Sequence, residues 1–275
     1  MKGALTGALA LAASVLAVAP ATAQTLPLWE AGVVAAAVTS PAYPGATDRS
    51  NRALALPFFV YRGEVIRTDQ GGIGARVVHT DRVDFDIGFA GSLPARSGDG
   101  AREGMPDLGL LLEFGPRLKY LIASPTPTSR LRIEVPLRAV FEVHAGVRRQ
   151  GATFEPRLVF DSRETGSPWG YDLSFGAVFG DRGINRYLYD VAPQYATATR
   201  PAYTASGGLM LMRVGTSVNY RFRPDVRMYA YAREESYARS ANLDSPLVKG
   251  SNGASFGVGV RWMLGRSSKD AVSAQ

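Results

Sequence analysis

Apolar residues occupy every second position in several long segments of the chain. In the segment 131–145, LRIEVPLRAVFEVHA, the odd-numbered positions are apolar and most even-numbered positions are charged. The same alternation begins at Val83, at Tyr171 and at Phe256. Because side chains of a β-strand point alternately to opposite faces, this pattern predicts strands with one apolar and one polar face. A soluble protein rarely needs a strand of this kind and length.

The alternation extends over most of the chain. It predicts about twelve strands, with ten as the alternative, at 28–39, 53–61, 64–69, 72–79, 82–91, 107–122, 130–146, 151–161, 169–180, 208–221, 226–238 and 254–264. We find no helical periodicity of useful length, no linker and no internal repeat in the sequence. The prediction is therefore a single all-β, antiparallel domain.

The first residues are typical of a secretory signal peptide. Lys2 is followed by an apolar run from about 4 to 18 and by the small residues Ala21-Thr22-Ala23. A retained membrane anchor is the alternative, but the run is shorter than the roughly 20 residues that a spanning helix needs. We expect cleavage after Ala23, which leaves one domain at 24–275.

Composition narrows the class of protein. The chain has no cysteine, which excludes disulfides and thiol chemistry. Its net charge is +7, but the arginines are scattered singly, so nucleic acid is not an expected partner. No apolar run of 18 or more residues follows the signal, although 46% of the chain is hydrophobic. If the mature protein spans a membrane, it must do so as a closed barrel of strands.

The connections between strands fit a bacterial outer-membrane β-barrel. With both termini in the periplasm, the long connections at 40–52, 92–106, 181–207 and 239–253 fall outside and the shorter turns fall in the periplasm. Aromatic residues favour the lipid–water interface. Eight are expected toward the periplasmic strand ends: Trp29, Tyr61, Tyr120, Trp169, Tyr171, Tyr220, Tyr229 and Trp262. The alternative is a soluble sandwich with these aromatics in its core.

In a barrel, the charged strand faces would point into the lumen. The predicted lumen-facing residues are Glu113, Arg117, Arg132, Glu134, Arg138, Glu142, His144, Glu155, Arg157 and Arg261. Both signs occur side by side, and an unpaired charge in a confined space is costly. This favours a cross-linked, plugged lumen, with a conducting pore as the alternative. The sequence has no single-sign ring of the kind that indicates ion selectivity.

The sequence predicts no enzyme. Its only histidines are His79 and His144, and neither stands two residues before a serine as in outer-membrane lipases and lipid deacylases. No metal-ligand spacing occurs, and no cofactor is expected. The glycines of Gly257-Val258-Gly259 lie inside an alternating strand, so they do not form a phosphate loop.

Several short segments resemble the MipA/OmpV family of outer-membrane proteins. They are Trp29 with Gly32, the segment 41–45 (PAYPG), Leu56-Pro57 with Tyr61, the segment 107–109 (DLG) with Gly115 and Tyr120, and the segment 244–248 (DSPLV). The resemblance runs from about residue 28 to 264 and implies a β-barrel. One departure is the polar tail at 265–275, where outer-membrane barrels commonly end on an aromatic residue.

The resemblance also implies a function. The namesake of the family, the MltA-interacting protein, is a scaffold that links a murein lytic transglycosylase to a penicillin-binding protein, and other members are treated as porin-like or adhesive. We therefore expect a non-catalytic interaction protein of the envelope, in contact with outer-membrane lipid. A passive channel for small solutes is the alternative. The resemblance supplies no catalytic residues.

Overall fold

The fold is known from a computed structural model that describes residues 27–63, 66–69, 72–95, 100–162 and 166–271. The predicted signal peptide lies outside the described residues. The strands are β1 (Trp29–Pro41), β2 (Arg49–Tyr61), β3 (Ile66–Asp69), β4 (Gly72–His79), β5 (Val83–Ser92), β6 (Leu110–Thr126), β7 (Ser129–Val143), β8 (Val147–Phe154), β9 (Arg157–Ser162), β10 (Trp169–Gly180), β11 (Gly208–Arg221), β12 (Val226–Ser236) and β13 (Asn252–Arg266).

All strands pair antiparallel in one sheet, in the order β2-β1-β13-β12-β11-β10-β8-β7-β6-β5-β4-β3. The two ends of this path, β2 and β3, follow each other in the chain and contact each other. Strands β8 and β9 together occupy one position in the sheet, because each pairs with β7 on one side and with β10 on the other. The predicted all-β architecture of twelve antiparallel positions is therefore confirmed.

One predicted strand is interrupted. The segment 151–161 breaks into β8 and β9 at Glu155 and Pro156. Proline has no N–H to donate to a neighbouring strand, so the ladder stops there and resumes at Arg157. The carbonyl of Pro156 still accepts a hydrogen bond from the N–H of Ala177 at 3.1 Å. The backbone at the interruption therefore stays hydrogen-bonded to β10.

The two ends of the sheet differ. At the terminal end, where β1 begins and β13 ends, the turns 80–82, 127–128 and 222–225 are short. At the loop end, the connections 42–48, 93–109, 181–207 and 237–251 are long. The two ends of the described part of the chain meet at the terminal end: Leu28 N donates to the carbonyl of Lys269 at 2.8 Å, and Pro27 bridges Asp270. The polar tail therefore continues to pair beyond Leu264.

The outer face of the sheet is apolar. On β10, Trp169 near the terminal end and Phe179 near the loop end are 52% and 37% exposed. Ten strand positions correspond to about 33 Å along a strand, or about 25 Å along the barrel axis at the usual tilt. This matches the height of the apolar band of outer-membrane barrels. All eight predicted aromatics lie in the terminal halves of their strands, although Tyr229 is on the inner face.

One helix was not predicted. Helix α1 (Arg182–Tyr189) lies in the connection 181–207, and the side chain of Asp181 caps it by accepting a hydrogen bond from Ile184 N at 3.0 Å. Ile184 and Leu188, one turn apart, are buried. No helix in the described part of the chain has the length and apolar character needed to cross a membrane.

Candidate functional site in the barrel interior

We call the inner face of β5–β9 the paired wall, because its charges meet opposite charges. Arg117 is 1% exposed and donates two hydrogen bonds of 2.8 Å to the carboxylate of Asp86. Lys119 Nζ lies 3.0 Å from the same carboxylate. A buried charge without a partner is strongly destabilising, so Asp86 is what allows Arg117 to be buried in the wall.

A second group in the paired wall centres on Glu134, which is 2% exposed. Arg132 Nε donates to Glu134 Oε1 at 2.7 Å, and Arg157 donates to Glu134 Oε2. Arg132 also pairs with Asp161 on β9, and Arg130 lies 3.3 Å from that carboxylate. Each acid in this group therefore bridges two arginines.

A third group runs across the sheet from β6 to β12. Arg138 lies 3.8 Å from Glu113 and 3.2 Å from Glu155. Glu155 is 2.7 Å from Arg213, and Arg213 is 2.8 Å from Glu235. Acid and base alternate along this chain, so every internal member has a partner on both sides.

Nine of the ten predicted lumen residues lie on the inner face, and one does not. Glu142 accepts a hydrogen bond from Gln150 Nε2 at 2.6 Å, and Arg261 lies 3.9 Å from Glu30. The exception is His144, which is exposed in the turn 144–146. Strand β7 ends at Val143, and Gly146 turns the chain with a φ of 138°. The predicted strand 130–146 was therefore too long, and His144 does not face the interior.

We call the inner face of β10–β13 the glycine wall. Tyr229 is paired directly with Gly259, and Tyr231 with Gly257. A Cβ atom added to Gly257 would lie 2.3 Å from the ring of Tyr231, so the ring occupies the space that a side chain at position 257 would need. Both glycines are strand residues, which agrees with the prediction that they do not form a phosphate loop.

The long connections pack together at the loop end and form what we call the loop cap. Leu247, Tyr189 and Tyr237 are each 1% exposed or less. Tyr43 Oη donates to the carbonyl of Leu247 at 2.8 Å, and Ser245 Oγ donates to the carbonyl of Tyr189 at 2.8 Å. Three separate connections are thereby joined in one buried cluster.

Asn242, which is fully buried, organises the polar part of the loop cap. Its Nδ2 donates to Asn185 Oδ1 and to the carbonyl of Ser206, each at 2.9 Å. Its Oδ1 accepts from Ser206 N at 2.9 Å and from Tyr203 Oη at 3.3 Å. All the hydrogen-bonding groups of this amide are used, so the cap has a single, specified packing.

The tyrosines of the loop cap are held neutral. Burial raises the pKa of Tyr43 to about 12. Burial, and next the hydrogen bond that it donates to Glu142 at 2.8 Å, raise the pKa of Tyr187 as well. Burial lowers the pKa of Arg102, whose guanidinium donates to the carbonyl of Leu188 at 3.1 Å. These phenols therefore stay protonated, and remain hydrogen-bond donors, to a higher pH than an exposed tyrosine.

The sequence did not predict the loop cap, although it contains one indirect sign of it. Two segments noted for the family resemblance, 41–45 and 244–248, meet in it. Gly45 has a φ of 88°, and its carbonyl accepts a hydrogen bond from Lys249 N at 2.8 Å. A Cβ on Gly45 would contact Val248 at 3.2 Å. The two motifs thus form one side of the cap.

The sequence matches the model of the family described as "MltA-interacting protein MipA" over residues 33–264. The chain belongs to the MipA family. The matched region begins in β1 and ends in β13, so it spans the sheet and the loop cap, and the predicted resemblance is confirmed. This MipA family member is an outer-membrane β-barrel protein. No curated protein matches the chain.

Among solved structures, outer membrane phospholipase A from Escherichia coli is similar over 88% of this chain and 94% of its own, with 13% identity and a TM-score of 0.37. OprD from Pseudomonas aeruginosa is similar over 87% and 94%, with 7% identity and a TM-score of 0.27. Neisserial surface protein A is similar over 86% and 97%, with 13% identity and a TM-score of 0.22. At these values the likenesses indicate nothing about the activity of this MipA family member.

The described residues also lack a metal-binding arrangement: no three histidine or acidic side chains among them converge as ligands. His79 lies at the terminal end, with Nδ1 3.6 Å from Asp84 Oδ2, whereas His144 lies at the loop end. The two histidines are therefore too far apart to serve one site.

Proposed function

We propose that this MipA family member is a non-catalytic interaction protein of the outer membrane that acts as a scaffold in peptidoglycan maintenance. The description of its family names an interaction with MltA, and a lytic transglycosylase is therefore the first partner to test. A penicillin-binding protein is the second. In this proposal an N-terminal signal peptide exports the chain in a Gram-negative cell.

The observation that carries the proposal against a channel is the loop cap. Its central residues Leu247, Asn242 and Asn185 are fully buried, and the connections that supply them cross the loop end of the sheet. In the paired wall, the charges that would line a path for solutes are neutralised by ion pairs. Both features favour a closed interior over a passage for solutes.

In this orientation the terminal end faces the periplasm, and the β6–β7 hairpin extends there beyond the end of β5. Strand β6 pairs with β5 only as far as Tyr120 and continues to Thr126. Residues 122–127 are exposed, including Ile122 at 42%. The free edge of this hairpin supplies backbone donors and acceptors that a partner strand can pair with. We assign partner binding to this edge.

Crosslinking in intact envelopes, followed by purification of the full chain, tests the proposal. We expect recovery of a lytic transglycosylase from wild type and loss of it when Ile122 and Ser124 are both changed to lysine, since exposed lysines on an edge strand oppose pairing with another chain. The matched control places two lysines at Phe222 and Pro224, which are exposed in the 222–225 turn. Recovery of no murein enzyme above background from wild type would contradict the scaffold.

The alternative function, a passive channel for small solutes, has a direct test. Purified protein in a planar bilayer is expected to show no discrete openings while the loop cap is intact. Openings whose size changes on Arg138→Gln would favour the channel, because this side chain lies in the interior between Glu113 and Glu155.

A further inference from the structure

A groove of about 500 Å³ lies on the outer face of the sheet, near the loop end of β1, β2 and β13. Phe256 and Val258, which line it, are 51% and 58% exposed on that face. The ring of Tyr231 lies against Gly257 on the inner face, so the groove is on the opposite side of the sheet. The side chains that line the groove are Ala37, Thr39, Asn51, Ala53, Phe256 and Val258.

The groove exists because small side chains lie beside large ones. Ala37 on β1 is paired with Val258 on one side and with Ala53 on the other. One step toward the terminal end, Ala35 is paired with Ala55 on the same face. On β10, by contrast, the outer face carries large apolar side chains. The surface is therefore lower along β1 and β2 than along β13, over about 14 Å of strand.

Arg49 places a positive charge at the loop end of the groove. Its side chain is exposed, and Nε and Nη2 donate to Thr39 Oγ1 at 3.2 Å and 3.1 Å. Nη2 also donates to the carbonyl of Ala254 on β13 at 3.1 Å, so the guanidinium reaches across β1. Within the described part of the chain these bonds use Nε and Nη2, and their acceptors are neutral. Nη1 can therefore donate to a bound anion.

We propose that the groove binds an anionic lipid, with an acyl chain along Ala37 and Ala53 and the phosphate group on Arg49. An acyl chain in the groove contacts protein on its floor and along Phe256 and Val258, whereas a chain on a flat wall has contacts on one side only. A guanidinium fits a phosphate group with two parallel hydrogen bonds. Basic residues at a membrane surface also attract anionic lipids.

The other possible occupant of an apolar groove in a membrane is a second copy of the chain. Two copies in one membrane have the same orientation, so a symmetric contact through this groove would place the two Arg49 side chains at the same height. Like charges would then face each other across the interface, which opposes it. An anionic lipid brings the opposite charge, so the charge of Arg49 favours the lipid.

Native mass spectrometry of the full chain in detergent tests this site with three probes: dimyristoyl phosphatidylglycerol, dimyristoyl phosphatidylcholine and glycerol phosphate. The first two have the same chains and differ in net charge, and the third has no acyl chain. We expect phosphatidylglycerol to be retained about tenfold better than phosphatidylcholine, because a hydrogen bond to a charged group contributes a free energy of this size. Added salt should reduce the preference, and glycerol phosphate should not be retained.

Two variants separate the acyl chain from the head group. Ala53→Leu fills the groove and is expected to reduce retention of both lipids. Arg49→Gln removes the charge, so retention of phosphatidylglycerol should fall about tenfold, to the level of phosphatidylcholine. The matched controls are Ala230→Leu, exposed on β12 outside the groove, and Arg149→Gln, exposed at the loop end. Both controls are expected to leave retention unchanged.

Equal retention of the two lipids by wild type would overturn the proposal, and so would a preference that survives Arg49→Gln. Unchanged retention in Ala53→Leu, or the same losses in the controls, would overturn it as well. A dimer that disappears with Ala53→Leu would show that the groove holds a second copy instead. Because partner capture is not measured, these results are independent of the proposed scaffold function.

Discussion

The two walls of the interior are filled by different kinds of side chain. The paired wall carries long charged side chains that bridge one another, as Glu134 bridges Arg132 and Arg157. The glycine wall carries small residues and two tyrosines that lie on Gly257 and Gly259. Hydrogen-bonded charge specifies the first wall and reaches the second at Arg213 and Glu235, while close contact of ring and backbone occurs in the second. Substitutions should therefore affect them for different reasons.

The largest effect is expected when a shared acid is removed from the paired wall. Glu134→Gln keeps the shape but leaves Arg132 and Arg157 without their common partner, and breaking a buried pair in this way costs about 3 kcal/mol. Denaturant unfolding of the protein in lipid vesicles measures this. Glu103→Gln, at an exposed position in the 93–109 connection, is the control. If the two variants are equally stable, the ion pairs do not stabilise this wall.

A smaller effect is expected in the glycine wall. In Gly257→Ala the new Cβ would lie 2.3 Å from the ring of Tyr231, so the ring must move, at about 2 kcal/mol for an overpacked interior. Adding Tyr231→Leu should recover part of the loss, and the same unfolding measurement gives the coupling between the two sites. Gly265→Ala is the matched control, because its Cβ would meet Trp29 at an ordinary 3.6 Å.

The loop cap above both walls should respond to alkaline pH. Burial raises the pKa of Tyr43 to about 12, so the folded state keeps the proton while the unfolded chain, with a pKa of about 10, loses it. The stabilisation is complete below pH 10 and is lost between about pH 10 and pH 12. At pH 11 the loss is about 1.4 kcal/mol.

Unfolding midpoints measured at pH 8 and pH 11 test this, with Tyr43→Phe as the comparison. The variant lacks the hydroxyl that donates to Leu247, so it should be less stable at pH 8 and should lose less on going to pH 11. If the variant shows the same pH dependence as wild type, ionisation of Tyr43 is not the cause of the loss of stability.

The sequence alone predicted the strands well because alternation is a local signal. The ends of β10 and β11 are as predicted, since each strand keeps one apolar face throughout its length. The break at Pro156 and the end of β7 at Val143 were missed, because alternation continues across both points. Helix α1 was missed as well, because its apolar stripe consists of only Ile184 and Leu188.

The contacts in the interior were harder to predict than the strands. Alternation identified which charges point inward, but not that Arg138 lies between Glu113 and Glu155. The pairing of Arg221 with Arg227 and of Arg227 with Arg261 depends on the register between β11, β12 and β13, which the sequence does not contain. The loop cap depends on contacts such as Tyr43 with Leu247, which are 204 residues apart in the chain. Such contacts exist only after the barrel has brought its connections to one end.

The bridge between Pro27 and Asp270 has a consequence for rearrangement of the chain. The two ends of the described chain are hydrogen-bonded neighbours, so a short peptide would join them without moving β1 or β13. Such a joined chain, opened in the 222–225 turn, keeps all of its strand pairs and starts instead at β12. A circularly permuted protein of this kind would form the same barrel although its strands are synthesised in a different order. The final architecture would then not depend on that order.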